Sequence, residues 1–326
     1  MAVNHINVVV DNDELIVTWR GGSASLSVFV SDDPDDPGTD VRAPHGAGRT
    51  VIARSKDRQY IHLFEPGQGF TVAAQRCLDT DGPDNFRDLG GYPTLHGSST
   101  RWGRVFRSDR LDGLSADDQA MIESLGISTV FDLRSNAEAA AAPDQLPGTV
   151  TRVHLPMSSD VAQHRSLLAR IIDGTLPKFD NDDMAAGYLN MLEGFGDYFT
   201  EVIDTVAAGQ RILFHCTAGK DRTGVMAMVL LGLAGVPEPY LLDDYEISQR
   251  YRRPGSDSRF QEQIRAAGFD PEDFATMWLS PRVVMRQTLD GLRQRWRDHA
   301  GYLDSIGVSD ETVNAARSSL CTPGLG

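Results

Sequence analysis

Cys216 and Arg222 stand six positions apart between a strand-like run and a helix-like one, and no other segment constrains the fold of this chain so tightly. Arg211 to His215 is a short apolar run of strand length. Thr223 to Ala234 is rich in Val, Met, Leu, Ala and Gly and is stopped by Gly235 and Pro237, the pattern of a buried helix. A strand feeding a helix through a tight loop is the repeating unit of an α/β sheet. The loop also falls at a helix N-terminus, where backbone N–H groups without intrahelical partners and the helix dipole favour an anion.

The residue types suit that place. A thiol at a helix N-terminus loses its proton more readily, with a pKa one to several units below the free value of about 8.5. Arg222 offers a planar fork that grips two phosphate oxygens at once, which a lysine cannot do. Gly219 lets the backbone turn inward without a side chain blocking the anion. Thr223 can donate its hydroxyl to the thiolate and ease the departure of sulfur from a phospho-cysteine. His215 can orient the loop through backbone hydrogen bonds, and Thr217, Ala218, Gly219 and Lys220 complete the cradle.

Blander readings fare worse. A lone cysteine between strand and helix is ordinarily a small buried hydrophobe, but a core position would not tolerate the Gly-Lys-Asp-Arg-Thr that comes after this one. An ATP-binding loop is excluded because Lys220 precedes Asp221 rather than Ser or Thr, and the upstream glycine is missing. His215 and Cys216 are adjacent and there is no Cys-x-x-Cys, so a zinc site is not expected. The expected chemistry is attack on a phosphate monoester without metal or other cofactor.

The run His215-Cys216-Thr217-Ala218-Gly219-Lys220-Asp221-Arg222-Thr223-Gly224 resembles the phosphate loop of cysteine-dependent protein tyrosine phosphatases. More narrowly, it is similar to the bacterial tyrosine/dual-specificity group that includes a secreted mycobacterial tyrosine/lipid phosphatase. Asn85-Phe86-Arg87-Asp88-Leu89-Gly90-Gly91, Val105-Phe106-Arg107-Ser108, Asp132-Leu133-Arg134-Ser135 and Asp243-Asp244-Tyr245 match in order, as do stretches around Gly301-Tyr302-Leu303 and Val313-Asn314. The likeness runs over roughly residues 80–326. It implies activity on phosphotyrosine, with phosphoserine/threonine and phosphoinositides also open. It further implies a helical cover over residues 252–280. In this chain Pro254 and Gly255 read as its hinge, and the cluster Arg250, Tyr251, Arg252 and Arg253 reads as a solvated helix end or as a basic edge of that cover facing an anionic substrate.

Composition bounds the partners. The net charge of −15 argues against a nucleic-acid binder. It also argues against standing attachment to an anionic membrane, and no run approaches membrane-spanning length. The phosphate of a phosphorylated protein, phosphoinositide or small phosphorylated substrate must then be drawn by a local positive pocket. Cys77, Cys216 and Cys321 form no disulfide framework, and a reduced compartment suits a working thiolate, so the cytoplasm is expected, with export lacking a signal left open.

Two units are expected along the chain. Residues 1–78 hold short runs rich in Val, Ile, Thr and aromatics: Ile6–Val10, Leu15–Trp19, Leu26–Val30, Thr50–Ala53, Gln59–Leu63 and Phe70–Ala74. Gly and Asp-Pro turns separate them, which reads as a small β-sandwich or as an extra sheet packed on the core. Residues 79–326 alternate strand and helix. Ser115 with Asp118 reads as a capping box opening a helix to Leu125, Ser128–Leu133 as a buried strand, and 184–207 as helical. Further helices are expected near 240–251, 256–267, 281–299 and 309–320. The fold class is α/β: a mostly parallel sheet flanked by helices and a helical lid, preceded by a small all-β domain.

A leaving alkoxide or phenoxide needs a proton donor. Asp160, four residues beyond the strand end Val153–Pro156, is the first candidate because it matches the family's proposed acid, and Asp221 inside the loop is its competitor. Asn85 and Arg87 are expected to buttress or line the loop. Arg107 and Arg134 are expected in ion pairs with acids such as Asp109 or Asp132. Lys220 either adds charge for the extra phosphates of a phosphoinositide or simply strengthens the field of the pocket. Rival readings are a phosphatase for a small phosphorylated metabolite, a non-catalytic phosphate-binding module, and an arsenate reductase, for which Cys77 and Cys321 are poorly placed.

Overall fold

The computed structural model describes residues 4–23, 25–39, 41–42, 48–157, 170–251 and 258–322. Seven strands come first: β1 (Asn4–Asp11), β2 (Glu14–Arg20), β3 (Ser27–Ser31), β4 (Val41–Arg42), β5 (Arg49–Ala53), β6 (Tyr60–Glu65) and β7 (Gly69–Ala74). They make two antiparallel sheets, ordered β1-β2-β5 and β4-β3-β6-β7. Period-2 alternation sends Leu15, Val17 and Trp19 of β2 to one face. There they meet Ile52 of their own sheet and Val28, Ile61 and Leu63 of the other, which closes a small sandwich core. The six expected strands are present, and β4 is an addition too short to show as a run. Asn12, at a φ of +53°, makes the tight turn that joins β1 to β2.

The sandwich has its own core and also rests on the second half of the chain. Tyr60 and Ala74 pack against Trp102, whose Nε1 donates to the Val72 carbonyl at 3.0 Å.

The second half is built on a five-stranded sheet of β8 (Arg87–Asp88), β9 (Val105–Ser108), β10 (Thr129–Asp132), β11 (Thr151–His154) and β12 (Ile212–His215). The order is β11-β10-β12-β9-β8, with every pairing parallel except the edge strand β8. All four residues of β9, β10 and β12 are buried, as in a sheet covered on both faces. One face carries α1 (Ala116–Ser124), with α2 (Asn136–Ala141) coming after β10. The Ser115 and Asp118 side chains cap each other's backbone as read from the sequence. The other face carries α3 (Asn181–Gly194), α4 (Gly196–Ala207), α5 (Asp221–Leu233), α6 (Glu238–Ile247), α8 (Arg282–Trp296), α9 (His299–Ser305) and α10 (Asp310–Leu320), with α7 (Ser258–Ala266) further out. Ten of the thirteen residues of α5 are buried, so it is the core helix its apolar sequence requires.

The helical stretch expected over 184–207 is divided into two helices. Phe195, with φ −128° and ψ 33°, ends α3 and precedes α4. It lies between Gly194 and Gly196, the weakest helix formers after proline, and its ring stacks on Tyr198. α7 and a 3-10 turn over Pro271–Met277 form a separate apolar cluster with Ile171, Leu176 and Phe179. This is the helical cover of the expected fold; Arg252, Arg253, Pro254 and Gly255 lie outside the described residues. Among the described residues, no helix is long and apolar enough to cross a membrane.

Candidate active site

β12 ends at His215 and α5 starts at Asp221, so residues 216–220 hang from the carboxyl end of the central strand, where such sheets hold ligands. Gly219 makes the loop possible. Its φ is +63°, and a Cβ there would lie 2.8 Å from Asn85 Nδ2, the Asp109 nitrogen and the Ser108 carbonyl carbon. Its carbonyl accepts from Arg107 Nη2 at 2.7 Å and from Asn85 Nδ2 at 3.1 Å, and Asn85 also reaches the Ala218 carbonyl at 3.4 Å. With those carbonyls pinned on one side, a trans peptide turns its N–H groups to the other.

What pins them is a buried ionic hub. Asp244 takes Arg107 Nη1 on Oδ2 and Arg87 Nε on Oδ1 at 3.3 Å, and its carbonyl takes Arg87 Nη2 at 2.7 Å. Arg87 also donates to Ser248 Oγ at 2.9 Å and to Asn85 Oδ1, which aims the Asn85 amide at the loop. Burial works to raise the Asp244 carboxyl, but Arg107, Arg87 and Arg76 outweigh it and hold the group at about 2. Burial, and then the like charge of Arg87, pull Arg107 down to about 10. The partner of Arg107 is thus Asp244 and not Asp109, whose carboxylate instead receives the backbone of Asp84 and Asn85.

Cys216 is 2% exposed, and Arg222 stands in the first turn of the helix that its loop leads into. Burial disfavours the Arg222 cation, yet hydrogen bonds to Glu138 and the charges of Cys216, Glu138 and Asp221 hold it above its usual range. Glu138 receives Nη1 at 2.7 Å and Nη2 at 2.9 Å, and also Thr217 Oγ1 at 2.6 Å. Its own carboxyl, raised by burial, is pulled well below the carboxylate range by Arg222 and Thr217. The sequence reading missed Glu138. Ser135-x-x-Glu138, a capping box that opens α2, was the signal for its placement, though not for its second task.

His215 is fully buried, with Nε2 3.2 Å from Asp144 Oδ2 and 3.7 Å from Asp132 Oδ1. Its Nδ1 lies 3.4 Å from the Cys216 carbonyl. Among the described residues, Asp132, Asp144 and His215 are the one trio placed to share a metal ion. Arg134 and Arg152 already pair with both carboxylates at 2.5 to 3.0 Å, so the positive charge a cation would bring is in place. Thr223 Oγ1 is buried and, among the described residues, has no partner.

Asp221 accepts the Tyr188 hydroxyl and lies 3.1 Å from Lys220 Nζ, and Tyr188 also shares a hydrogen bond with Tyr245 at 2.8 Å. Burial, then the Asp221 charge, pushes the Tyr188 phenol well above its ordinary value. Lys220 is fully buried, and its ammonium is surrounded by the carbonyls of Thr276, Met277 and Leu279 at 2.9, 3.1 and 2.8 Å. It ties the loop to the cover. Asp160 lies outside the described residues. A cleft of about 550 Å3 between residues 54–59 and α1 is lined by Lys56, Asp117 and Met121 and holds none of these groups.

A thiol opening the loop and a guanidinium in the first turn of the helix it leads into, at the seam of a central parallel strand and a buried helix, are the arrangement of a cysteine-dependent phosphatase. Residues 78–322 match the tyrosine phosphatase family, and the chain belongs to it. It is 30% identical over 273 residues to the triple specificity protein phosphatase PtpB of Mycobacterium tuberculosis, across 72% of this chain and 96% of that protein. It is 31% identical over 220 residues to a tyrosine-protein phosphatase of Nostoc commune, across 66% of this chain and 73% of that one. The solved P. aeruginosa TpbA with phosphotyrosine overlaps 66% of this chain and 92% of its own at 13% identity, with a TM-score of 0.29 that carries no argument. The chain is an enzyme of the phosphoric monoester hydrolase class.

Proposed function

We propose that this chain hydrolyses phosphotyrosine, and with it phosphoserine/threonine and phosphoinositides, through a phospho-cysteine on Cys216. The observation that carries the reading is the placement of buried Cys216 at the end of β12 and of Arg222 in the first turn of α5, with Gly219 held between them by Arg107 and Asn85. The Cys216 sulfur attacks phosphorus and the P–O bond to the leaving group breaks. Arg222 and the loop amides hold the equatorial oxygens, on which charge is spread in the transition state. Asp160 gives its proton to the departing oxygen. Water then attacks the phospho-cysteine, passes a proton to a carboxylate, and returns the thiolate with inorganic phosphate. Thr223 Oγ1, buried and without a partner among the described residues, is suited to donate to the leaving sulfur.

The breadth of substrate is supported by the name of the mycobacterial relative, a triple specificity phosphatase. The cytoplasm is the proposed place of action, because Cys77, Cys216 and Cys321 are all free thiols. The reading is tested with Cys216→Ser on phosphotyrosine peptide. Turnover is expected to vanish while phosphate still binds, and EDTA is expected to leave the wild-type rate intact. A Cys216→Ser variant working at the wild-type rate would end this scheme.

A further inference from the structure

We propose that the N-terminal segment supplies the phosphate loop with a positioning residue, Arg76, which acts through Tyr92 and Asp244. The inference rests on Cys216 being the nucleophile. Arg76 lies just past the end of β7, two residues before the segment that matches the family begins. Its guanidinium carbon sits 4.0 Å from the centre of the Tyr92 ring, and its Nη1 donates to the Asp88 carbonyl at 2.9 Å. The Tyr92 hydroxyl donates to Asp244 Oδ1 at 3.2 Å. Asp244 holds Arg107, and Arg107 Nη2 holds the Gly219 carbonyl at 2.7 Å. Four contacts therefore join a residue at the end of the sandwich to the loop that cradles the phosphate.

Arg58 fixes the same joint from the strand side. Its Nη1 meets Asp88 Oδ2 at 2.6 Å with both side chains buried, and Nη2 takes the Gln75 carbonyl, next to Arg76, at 3.1 Å. Asp88 in turn accepts the Gly103 and Gly90 amides at 2.7 and 2.8 Å, which locks β8 beside Arg87. The charges matter as much as the contacts. Arg76, Arg87 and Arg107 surround the single carboxylate of Asp244, and this leaves a net positive field under a loop that must bind a dianion.

A docked sandwich could steady the protein without touching catalysis, and the seam contains its own control. Arg104 and Arg101 of the second half reach Asp35 of the sandwich at 2.7 and 3.5 Å, and among the described residues neither side chain has a hydrogen bond or ion pair to Tyr92, Asp244 or the loop. Arg76→Ala is expected to lower kcat on phosphotyrosine peptide about tenfold with KM changed less than about twofold, since a displaced loop loses more contact with the transition state than with the bound substrate. Arg76→Lys, which keeps a cation over the ring, is expected to recover most of the loss. Arg104→Ala is expected to lower the melting temperature slightly and leave kcat alone. Wild-type kcat in Arg76→Ala, or an equal fall in Arg104→Ala, would overturn the proposal. If Arg76→Ala does not fold, Tyr92→Phe removes only the hydroxyl on Asp244, and an unchanged kcat there is equally fatal. Turnover persisting in Cys216→Ser would instead strike the nucleophile assignment, whatever Arg76 does.

Discussion

Glu138 on α2 holds both ends of the Arg222 fork, Nη1 at 2.7 Å and Nη2 at 2.9 Å, and takes the Thr217 hydroxyl as well. The arginine is thereby aimed before substrate arrives, which is worth more than the same charge left to find its own place. Glu138→Ala is expected to lower kcat about tenfold, with KM unchanged or lower because an anion beside the phosphate is gone. A rise in KM at constant kcat would show that Glu138 serves ground-state binding alone.

Acid should unpick the site before it unfolds the sandwich. Glu138 and Asp244 both have folded pKa values below their unfolded ones. Their contribution to stability is complete above the unfolded values near 4 and is lost as pH falls through the folded ones, about 2 for Asp244. Loop-reporting fluorescence or amide exchange at residues 85–92 and 216–224 is expected to change between about pH 4 and pH 2. A flat response across that window would show that neither carboxylate is stabilised by its arginines.

Asp244→Asn leaves Arg87 and Arg107 buried with neutral partners alone, the shared carboxylate gone. The expected cost is roughly 3–5 kcal/mol of folding stability, read from urea unfolding. The neighbouring Asp243 pairs with Arg282 in solvent, and Asp243→Asn should cost under about 1 kcal/mol. Equal losses for the two would mean the hub is not what it looks like from its burial.

Lys220 bonds three carbonyls of the cover as well as lying against Asp221. Lys220→Ala leaves those oxygens, the Thr276 carbonyl the most buried of them, without their donor. Activity on phosphotyrosine peptide and on phosphoinositide is expected to fall in parallel, with faster proteolysis near residues 271–280. Selective loss on the phosphoinositide would return Lys220 to the role of a second-phosphate contact.

Proton donation separates the two candidate acids. Asp160→Asn is expected to slow alkyl phosphates more than aryl phosphates with good leaving groups, because only the former need the proton badly. Asp221, engaged by Tyr188 and Lys220, is expected to cost both substrates equally when changed to Asn. The reverse pattern would exchange their roles.

The amino-acid sequence by itself determined what is local. The Cys216 to Arg222 spacing, the glycine that a φ of +63° demands, the Ser115 and Asp118 capping box and the alternation on β2 are all written within a few residues. Their codes are backbone sterics and periodicity, which neighbours in the chain set for each other. Tertiary structure decided the partners. Glu138 meets Arg222 from 84 positions away, and Asp244 meets Arg87 and Arg107 from 157 and 137. With 46 acidic residues in the chain, a charge alone does not say which one it will pair with. That choice belongs to burial, because only where water is excluded does an unpaired ion cost enough to make one geometry win.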